Sequence, residues 1–161
     1  CQRENVIPDF LCLAKGLTGG TLPLAATLTT AAIYNSFLGD KENAFYYGHS
    51  YTANPIGCAA ALASLNLFES DETFLHLPTK ISHMAKCLEK LRRNRKDILE
   101  IRQCGLIAGI EFSAGKGEEV VRNCHKYGLI TRNILDTVVF MPPLCISEAE
   151  LDFAWAALAR A

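Results

Sequence analysis

The chain has 161 residues, half of them hydrophobic, with 16 basic and 17 acidic residues and a formal net charge of -1. This length suits one ordinary domain or two smaller units, and the composition is typical of a soluble globular protein. The balanced charge argues against nucleic acid or an anionic membrane as a partner, and no apolar run reaches the ~18 residues that span a bilayer.

The first elements predicted along the chain are a buried strand, a tight loop, a second strand and a helix. The apolar run from Phe10 to Ala14 favours a buried strand, and it ends directly at Lys15. The glycines that follow Lys15 predict a tight loop. The apolar, threonine-rich stretch from Leu22 to Thr30 then predicts a strand, and the spacing from Ala31 to Leu38 predicts a helix.

A loop and two helices follow. The aromatic and polar stretch from Phe45 to Asn54 has no clear period, which is typical of a loop. Asn54 and the proline after it predict a helix start, and the helix from Pro55 to Glu69 is apolar almost all round, so we expect it to be buried. The composition changes near Asp71, where we place a domain boundary. A bridging amphipathic helix from Pro78 to Lys96 follows, with a basic, solvated C-terminal end.

The last part of the chain is predicted to be a small α+β unit. It comprises strands at Ile98–Arg102, Leu106–Phe112, Leu129–Arg132 and Val138–Met141, a helix at Gly117–Tyr127, and a helix to Ala161 that begins at a capping box of Ser147 and Glu150. The predicted domains are therefore residues 1–71 and 72–161.

The cysteines and the N-terminus bear on location. The seven cysteines are Cys1, Cys12, Cys58, Cys87, Cys104, Cys124 and Cys145. Their number is odd, no C-x-x-C pair occurs, and they lie in apolar runs, so we predict reduced core residues of a cytoplasmic protein. Zinc ligands paired at short spacing are absent, so no metal site is predicted. The chain starts with cysteine and has no signal-peptide character, which indicates a fragment whose targeting, including organellar targeting, is undecided.

Lys15 is the residue that points most clearly to chemistry. A lysine directly after a buried apolar run is costly unless it reaches solvent or is used. In a dry pocket its pKa falls, and a neutral amine can condense with an aldehyde. The glycines beyond it, in the run Lys-Gly-Leu-Thr-Gly-Gly, let the backbone approach a bound molecule closely. From chemistry alone, the alternative is a lysine that extends into water at the end of a strand.

Three segments together carry a family resemblance. They are the lysine segment with Ala-Thr-Leu-Thr-Thr after it, the loop Tyr-Gly-His-Ser-Tyr-Thr-Ala-Asn-Pro at 47–55, and Gly-Leu-Ile-Thr-Arg at 128–132 followed by Met-Pro-Pro. They resemble, in order and spacing, segments of the class III pyridoxal-phosphate-dependent aminotransferases, most closely those of biotin biosynthesis. The resemblance implies an α/β fold, the PLP-dependent transferase fold type I. Residues 1–71 would be the C-terminal portion of its large domain, followed by a small α+β C-terminal domain.

The resemblance also implies roles for individual residues. Lys15 would carry pyridoxal 5'-phosphate covalently and move a proton during transfer. Ser50, flanked by His49, would bind the cofactor phosphate of the neighbouring subunit, as a hydroxyl beside backbone N–H groups can. Gly48 and Arg132 would contact the substrate, with Arg132 pairing a carboxylate in two parallel hydrogen bonds.

By the same resemblance, the whole protein would be a homodimer that transfers an amino group from S-adenosylmethionine to 8-amino-7-oxononanoate, giving 7,8-diaminononanoate. Free lysine remains an alternative amino donor. In the family, the aspartate that pairs with the cofactor's ring nitrogen, a phosphate loop and a stacking aromatic residue all precede the lysine segment, so we expect the 161-residue chain to be inactive and poorly soluble alone. The alternatives are an ornithine, acetylornithine or 4-aminobutyrate aminotransferase, and a non-catalytic remnant.

Overall fold

The computed structural model describes all 161 residues, which form two compact units, Cys1–Asp71 and Glu72–Ala161. The composition change near Asp71 falls at this division. The assignment of the first unit to a cofactor-binding large domain stays a prediction. None of the helices combines the length and the apolar character that crossing a membrane requires.

The first unit is built from a two-stranded antiparallel sheet and two helices. Strand β1 is Phe10–Leu13, β2 is Ala26–Thr29, α1 is Ala31–Asn35 and α2 is Pro55–Ser70; short 3-10 helices lie at Gln2–Glu4, Lys15–Thr18 and Lys41–Asn43. The predicted start of α2 is confirmed: the Asn54 side chain accepts a hydrogen bond from the Ile56 N–H at 3.0 Å, and Pro55 fills the first turn, where no N–H is needed.

The predicted burial in this unit is wrong for the chain as described. All residues of β1 and β2 are exposed, and in α2 only Gly57 and Ala61 are buried. The physical reason is that β1 and β2 pair only with each other and neither face of this two-stranded sheet is covered, while most of the surface of α2 is likewise uncovered. Large apolar side chains therefore remain on the surface, among them Phe10 at 57% and Ile56 at 68% exposure.

The second unit is a four-stranded antiparallel sheet with three helices. The strands are β3 (Ile98–Cys104), β4 (Ile107–Phe112), β5 (Arg132–Ile134) and β6 (Thr137–Phe140), in the order β3-β4-β6-β5. The helices are α3 (Thr73–Asn94), α4 (Gly117–Lys126) and α5 (Glu148–Arg160). The predicted capping box is confirmed, because Ser147 accepts from the Glu150 N–H while the Glu150 carboxylate accepts from the Ser147 N–H.

The core of this unit lies between one face of the sheet and the helices. Alternate residues of β4 are buried, namely Ala108, Ile110 and Phe112, which is the period expected of a strand with one covered face. The helices contribute Met84, Leu88 and Leu91 from α3, Val120, Val121 and Cys124 from α4, and Leu151, Ala154, Trp155 and Leu158 from α5. The cluster is completed by Ile98 of β3, Leu106 of the turn before β4, and Val138 and Phe140 of β6. This face-to-helix packing gives the second unit the hydrophobic core that the first unit lacks in this chain.

Several predicted boundaries in the second unit differ from the structure. Helix α3 begins at Thr73, so Pro78 lies inside it instead of starting it. Strand β5 begins at Arg132, because Gly128 has a φ of 82° and the backbone reaches extended pairing with β6 only at that arginine. The prediction of core cysteines is mostly wrong: only Cys124 is buried, while four of the seven are exposed.

Gly117 and Asp136 fix the start of α4 against the turn between β5 and β6. A Cβ at Gly117 would lie 2.5 Å from the Leu135 carbonyl oxygen, so no other residue fits there without moving backbone. The Asp136 carboxylate accepts a hydrogen bond from the Gly117 N–H at 3.0 Å. That bond, with others from the N–H groups of Gly115 and Lys116, lowers the pKa of Asp136 below its ordinary value of 3.8.

We therefore expect Asp136→Asn to reduce stability in a pH-dependent way. A carboxyl whose pKa is lower in the folded state stabilises that state above its unfolded pKa of 3.8, and this contribution is lost as the pH falls through the folded value. Urea unfolding at several pH values is the measurement: the variant is less stable than the parent at pH 7, and the difference shrinks below about pH 4. Glu148→Gln is the matched control, since that carboxylate has no hydrogen bond or ion pair. A deficit that is the same at every pH would contradict the expectation.

Candidate active site

Lys15 lies directly after β1, at the start of a 3-10 helix. Its backbone has a φ of 53°, a left-handed conformation that is uncommon for a residue with a Cβ and that clusters at functional sites. The side chain is exposed in this chain, and its amine has no hydrogen bond or ion pair. The structure therefore presents an unpaired primary amine on a conformationally strained residue. In this chain the side chain is exposed, as the alternative interpretation expected, and no dry pocket encloses it.

The loop after Lys15 is held by Thr18, a residue that the sequence analysis did not single out. Thr18 is 2% exposed and is the buried polar residue of the chain. Its hydroxyl donates to the Leu22 carbonyl at 2.6 Å, while its own carbonyl accepts from the Thr21 hydroxyl at 2.8 Å. Gly19, at a φ of 62°, follows it. The sequence signal that could have identified Thr18 is its position between Leu17 and two glycines. A buried threonine is tolerated only when its hydroxyl is hydrogen-bonded within the protein, as it is here.

The second predicted segment forms a hydrogen-bonded turn that presents Ser50. The Thr52 hydroxyl accepts from the His49 N–H at 2.9 Å, and the His49 carbonyl accepts from the Thr52 N–H, also at 2.9 Å. His49 Nδ1 accepts from the Tyr51 N–H at 3.1 Å. Because Nδ1 is engaged, Nε2 is the ring nitrogen left to donate. The Ser50 hydroxyl, at the tip of the turn, makes no hydrogen bond within the chain, and Gly48 precedes the turn.

Arg132 belongs to the second unit, where it begins β5 opposite Val139 of β6. It lines an apolar pocket of about 450 Å³ whose other walls include Val139, Phe140, Met141 and Pro142. The guanidinium is exposed and has no carboxylate partner, unlike Arg122 or Arg102 in the same unit. A free guanidinium beside apolar walls suits a molecule with a carboxylate and a hydrocarbon chain.

The structure thus brings some of the predicted site residues together. His49 and Ser50 belong to one turn that Gly48 precedes, Lys15 lies on a separate loop of the same unit, and Arg132 belongs to the other unit. Their roles as cofactor-binding, substrate-binding and catalytic residues stay predictions. These residues nevertheless all present unpaired polar groups: the amine of Lys15, the hydroxyl of Ser50, the imidazole N–H of His49 and the guanidinium of Arg132.

These groups fit pyridoxal phosphate. The free Lys15 amine is the functional group that condenses with an aldehyde, and the unpaired Ser50 hydroxyl and His49 Nε2–H are donors of the kind that bind phosphate. Gly16 and Gly20 are exposed and carry no side chain, so the backbone beside Lys15 is accessible to a bound molecule.

Comparison with known proteins decides the family. The model of the aminotransferase class III family matches residues 1–161, which is the whole chain. The chain belongs to the class III aminotransferase family. The predicted family and fold class, the α/β PLP-dependent transferase fold type I, are thereby confirmed, and solved structures of the family share the fold.

Relatives within the family are similar along nearly all of this chain. An adenosylmethionine-8-amino-7-oxononanoate aminotransferase of Nitratidesulfovibrio vulgaris is 42% identical over 94% of the chain and 30% of its own length. The enzyme of that name from Staphylococcus aureus is 40% identical over 94% of the chain and 36% of its own length. The crystal structure of the Methanocaldococcus jannaschii enzyme superposes with a TM-score of 0.88 at 38% identity, covering 95% of this chain and 38% of that one. The chain therefore spans about a third of the length of these relatives.

Proposed function

We propose that this chain is the lysine-bearing part of a pyridoxal-phosphate-dependent aminotransferase of biotin biosynthesis. In this proposal the whole protein transfers an amino group from S-adenosylmethionine to 8-amino-7-oxononanoate and releases 7,8-diaminononanoate. The observation that carries the proposal is the similarity of about 40% over 94% of the chain to enzymes that bear this name. The free amine of Lys15 gives that similarity a chemical basis.

Each site residue has a defined task in the proposal. When bound, pyridoxal phosphate supplies an aldehyde for amine exchange and a ring that withdraws electrons from the substrate carbon. Lys15 Nζ would hold the cofactor between turnovers, and during transfer it would move a proton between the substrate's α-carbon and the cofactor's C4′ carbon. The Ser50 hydroxyl and the His49 Nε2–H donate hydrogen bonds to phosphate oxygens. The strained backbone of Lys15 aims the amine, while the buried Thr18 keeps the glycine loop in place.

Arg132 has the task of orienting the substrate. Its guanidinium pairs with a carboxylate in two parallel hydrogen bonds, and the apolar walls of the neighbouring pocket accommodate a hydrocarbon chain. 8-Amino-7-oxononanoate combines those two features, since it carries a carboxylate on a hydrocarbon chain that ends in the reacting groups. The proposal includes a homodimer in which Ser50 serves the phosphate site of the other subunit.

The test is an amino-transfer assay on the natural protein that contains this chain. Purified protein with pyridoxal phosphate and 8-amino-7-oxononanoate is offered S-adenosylmethionine, lysine, ornithine or 4-aminobutyrate, and 7,8-diaminononanoate is measured by mass spectrometry. We expect product with S-adenosylmethionine, and none from the 161-residue chain assayed alone. Product formed only with lysine would show that lysine, and not S-adenosylmethionine, is the amino donor. Turnover of ornithine or 4-aminobutyrate with a 2-oxo acid, and none with 8-amino-7-oxononanoate, would overturn the proposal in favour of another branch of the family.

A further inference from the structure

Three side chains of different chemistry converge between α3 and α5, in the second unit and apart from the residues of the candidate active site. His83 Nε2 lies 2.7 Å from Asp152 Oδ1 and 3.7 Å from Cys87 Sγ. The ligand-type atoms of these three residues all lie within 4.8 Å of one another. The prediction of no metal site from the sequence overlooked the pair His83 and Cys87, four residues apart, and spacing alone does not associate them with Asp152, which is 65 residues from Cys87.

The three side chains project from helices that are packed against the hydrophobic core. His83 and Cys87 are four residues apart on α3, so they occupy the same helix face, the arrangement in which helices present pairs of metal ligands. Their neighbours Met84 and Leu88 and the α5 residue Leu151, which precedes Asp152, are buried in the core. Ligands on packed helices hold their geometry better than ligands on loops.

The arrangement does not suit a nucleophilic cysteine. In a cysteine–histidine–acid relay, the acid holds one ring nitrogen while the other faces the thiol. Here the acid and the thiol both approach Nε2 of His83. The raised pKa of Cys87, caused first by burial and then by the charge of Asp152, also disfavours a free thiolate. Three ligand atoms gathered around one point are instead the geometry of an ion site.

We propose that His83, Cys87 and Asp152 form a zinc site that links α3 to α5. A thiolate, an imidazole and a carboxylate are the ligands that Zn²⁺ takes in proteins, at about 2.0 to 2.3 Å each. Tetrahedral coordination at those bond lengths places neighbouring ligand atoms about 3.4 to 3.6 Å apart. The 3.7 Å sulfur–imidazole contact is already close to that spacing, whereas the His83–Asp152 contact must open from 2.7 Å and the Cys87–Asp152 separation, at most 4.8 Å, must also adjust to it.

The surroundings leave a fourth position for water. His83 is half-buried, and it lines an open groove of about 480 Å³ with Pro78, Ser82 and Glu148. Asp152 is 65% exposed, so its carboxylate can rotate toward an ion. The acidic groups favour a cation, and Lys86 in the groove and Lys90 beside Cys87 oppose it. A thiol ligates Zn²⁺ as the thiolate, so binding is expected to release a proton from Cys87.

The test is a titration of the natural protein that contains this chain, freed of metal, with Co²⁺ and Zn²⁺. Co²⁺ reports its ligands directly, because a thiolate ligand gives a near-ultraviolet charge-transfer band and tetrahedral geometry gives intense visible bands. We expect one equivalent to bind, Zn²⁺ to displace it, and calorimetry in two buffers to show a proton released. Cys87→Ser removes the charge-transfer band, and His83→Gln and Asp152→Asn each weaken Zn²⁺ affinity by ~10-fold or more.

Cys145→Ser is the matched control, since it removes an exposed cysteine of the same unit and is expected to leave the band and the affinity unchanged. Circular dichroism establishes that each variant is folded, and Asp152→Asn changes an exposed side chain, so at least one informative variant folds. The proposal is overturned if no band appears, if the band survives Cys87→Ser, or if Zn²⁺ binds all variants with equal affinity. None of these readouts depends on aminotransferase activity.

Discussion

Replacing Lys15 with alanine in the natural protein abolishes covalent attachment of pyridoxal phosphate and reduces amino transfer by roughly 10³-fold or more. The loss is large because one amine performs two tasks, holding the cofactor and moving the proton, and no other group of the loop can replace it. Thr18 has its hydroxyl committed to the Leu22 carbonyl, and the neighbouring residues carry no ionisable side chain.

Two measurements check this expectation independently of activity. The parent protein gains a visible absorption band when pyridoxal phosphate is added, and reduction with borohydride fixes the added mass on the peptide that contains Lys15. Neither signal appears in Lys15→Ala. Lys41→Ala is the matched control, since Lys41 lies in the same unit in a short 3-10 helix and its amine is also unpaired. A band that persists in Lys15→Ala, or a reduced adduct on another lysine, would show that the assignment is wrong.

Replacing Arg132 with alanine lowers kcat/KM for a carboxylate substrate by about 10²-fold, equivalent to about 2.7 kcal/mol. The physical reason is the loss of two parallel charge-assisted hydrogen bonds in a pocket whose other walls are apolar. Arg132→Lys retains the charge but not the planar pair of donors, so we expect an intermediate loss.

The pattern across substrates distinguishes orientation from a general structural defect. For an amine substrate without a carboxylate, Arg132→Ala and the parent protein react at similar rates, whereas a folding defect lowers both rates. Arg122→Ala is the control because that arginine, on α4, already pairs with Glu118 outside the pocket. Equal losses with both substrates, or an unchanged kcat/KM for the carboxylate substrate, would show that Arg132 does not bind the substrate carboxylate.

The sequence predicted well where a local signal dominates. Asn54 with Pro55, and Ser147 with Glu150, each satisfy backbone N–H groups within one turn, so the starts of α2 and α5 could be read directly. These signals depend on neighbours three or four residues away and do not need the rest of the fold.

Prediction failed where the answer depends on distant residues. Burial of Phe10 and Ile56 was inferred from their apolar surroundings, but exposure depends on what packs against them, and in this chain nothing covers those faces. The His83, Cys87 and Asp152 cluster was missed because α3 and α5 are brought together only by the shared core. Among the candidate site residues, Lys15, Ser50 and Arg132 could be singled out only because whole segments resembled a family, since a lone lysine, serine or arginine carries little information.

The contact between Gly117 and the hairpin turn has a consequence for how this region can vary. Leu135 adopts a φ of 54°, and the Asp136 carboxylate accepts a hydrogen bond from the first N–H of α4. The conformation of the turn, the start of the helix and the register of β5 therefore depend on one another. Inserting a single residue into the turn would rotate Arg132 to the opposite face of the sheet and release the helix at the same time. Length changes in this hairpin are therefore constrained at two points at once, the strand register and the start of the helix.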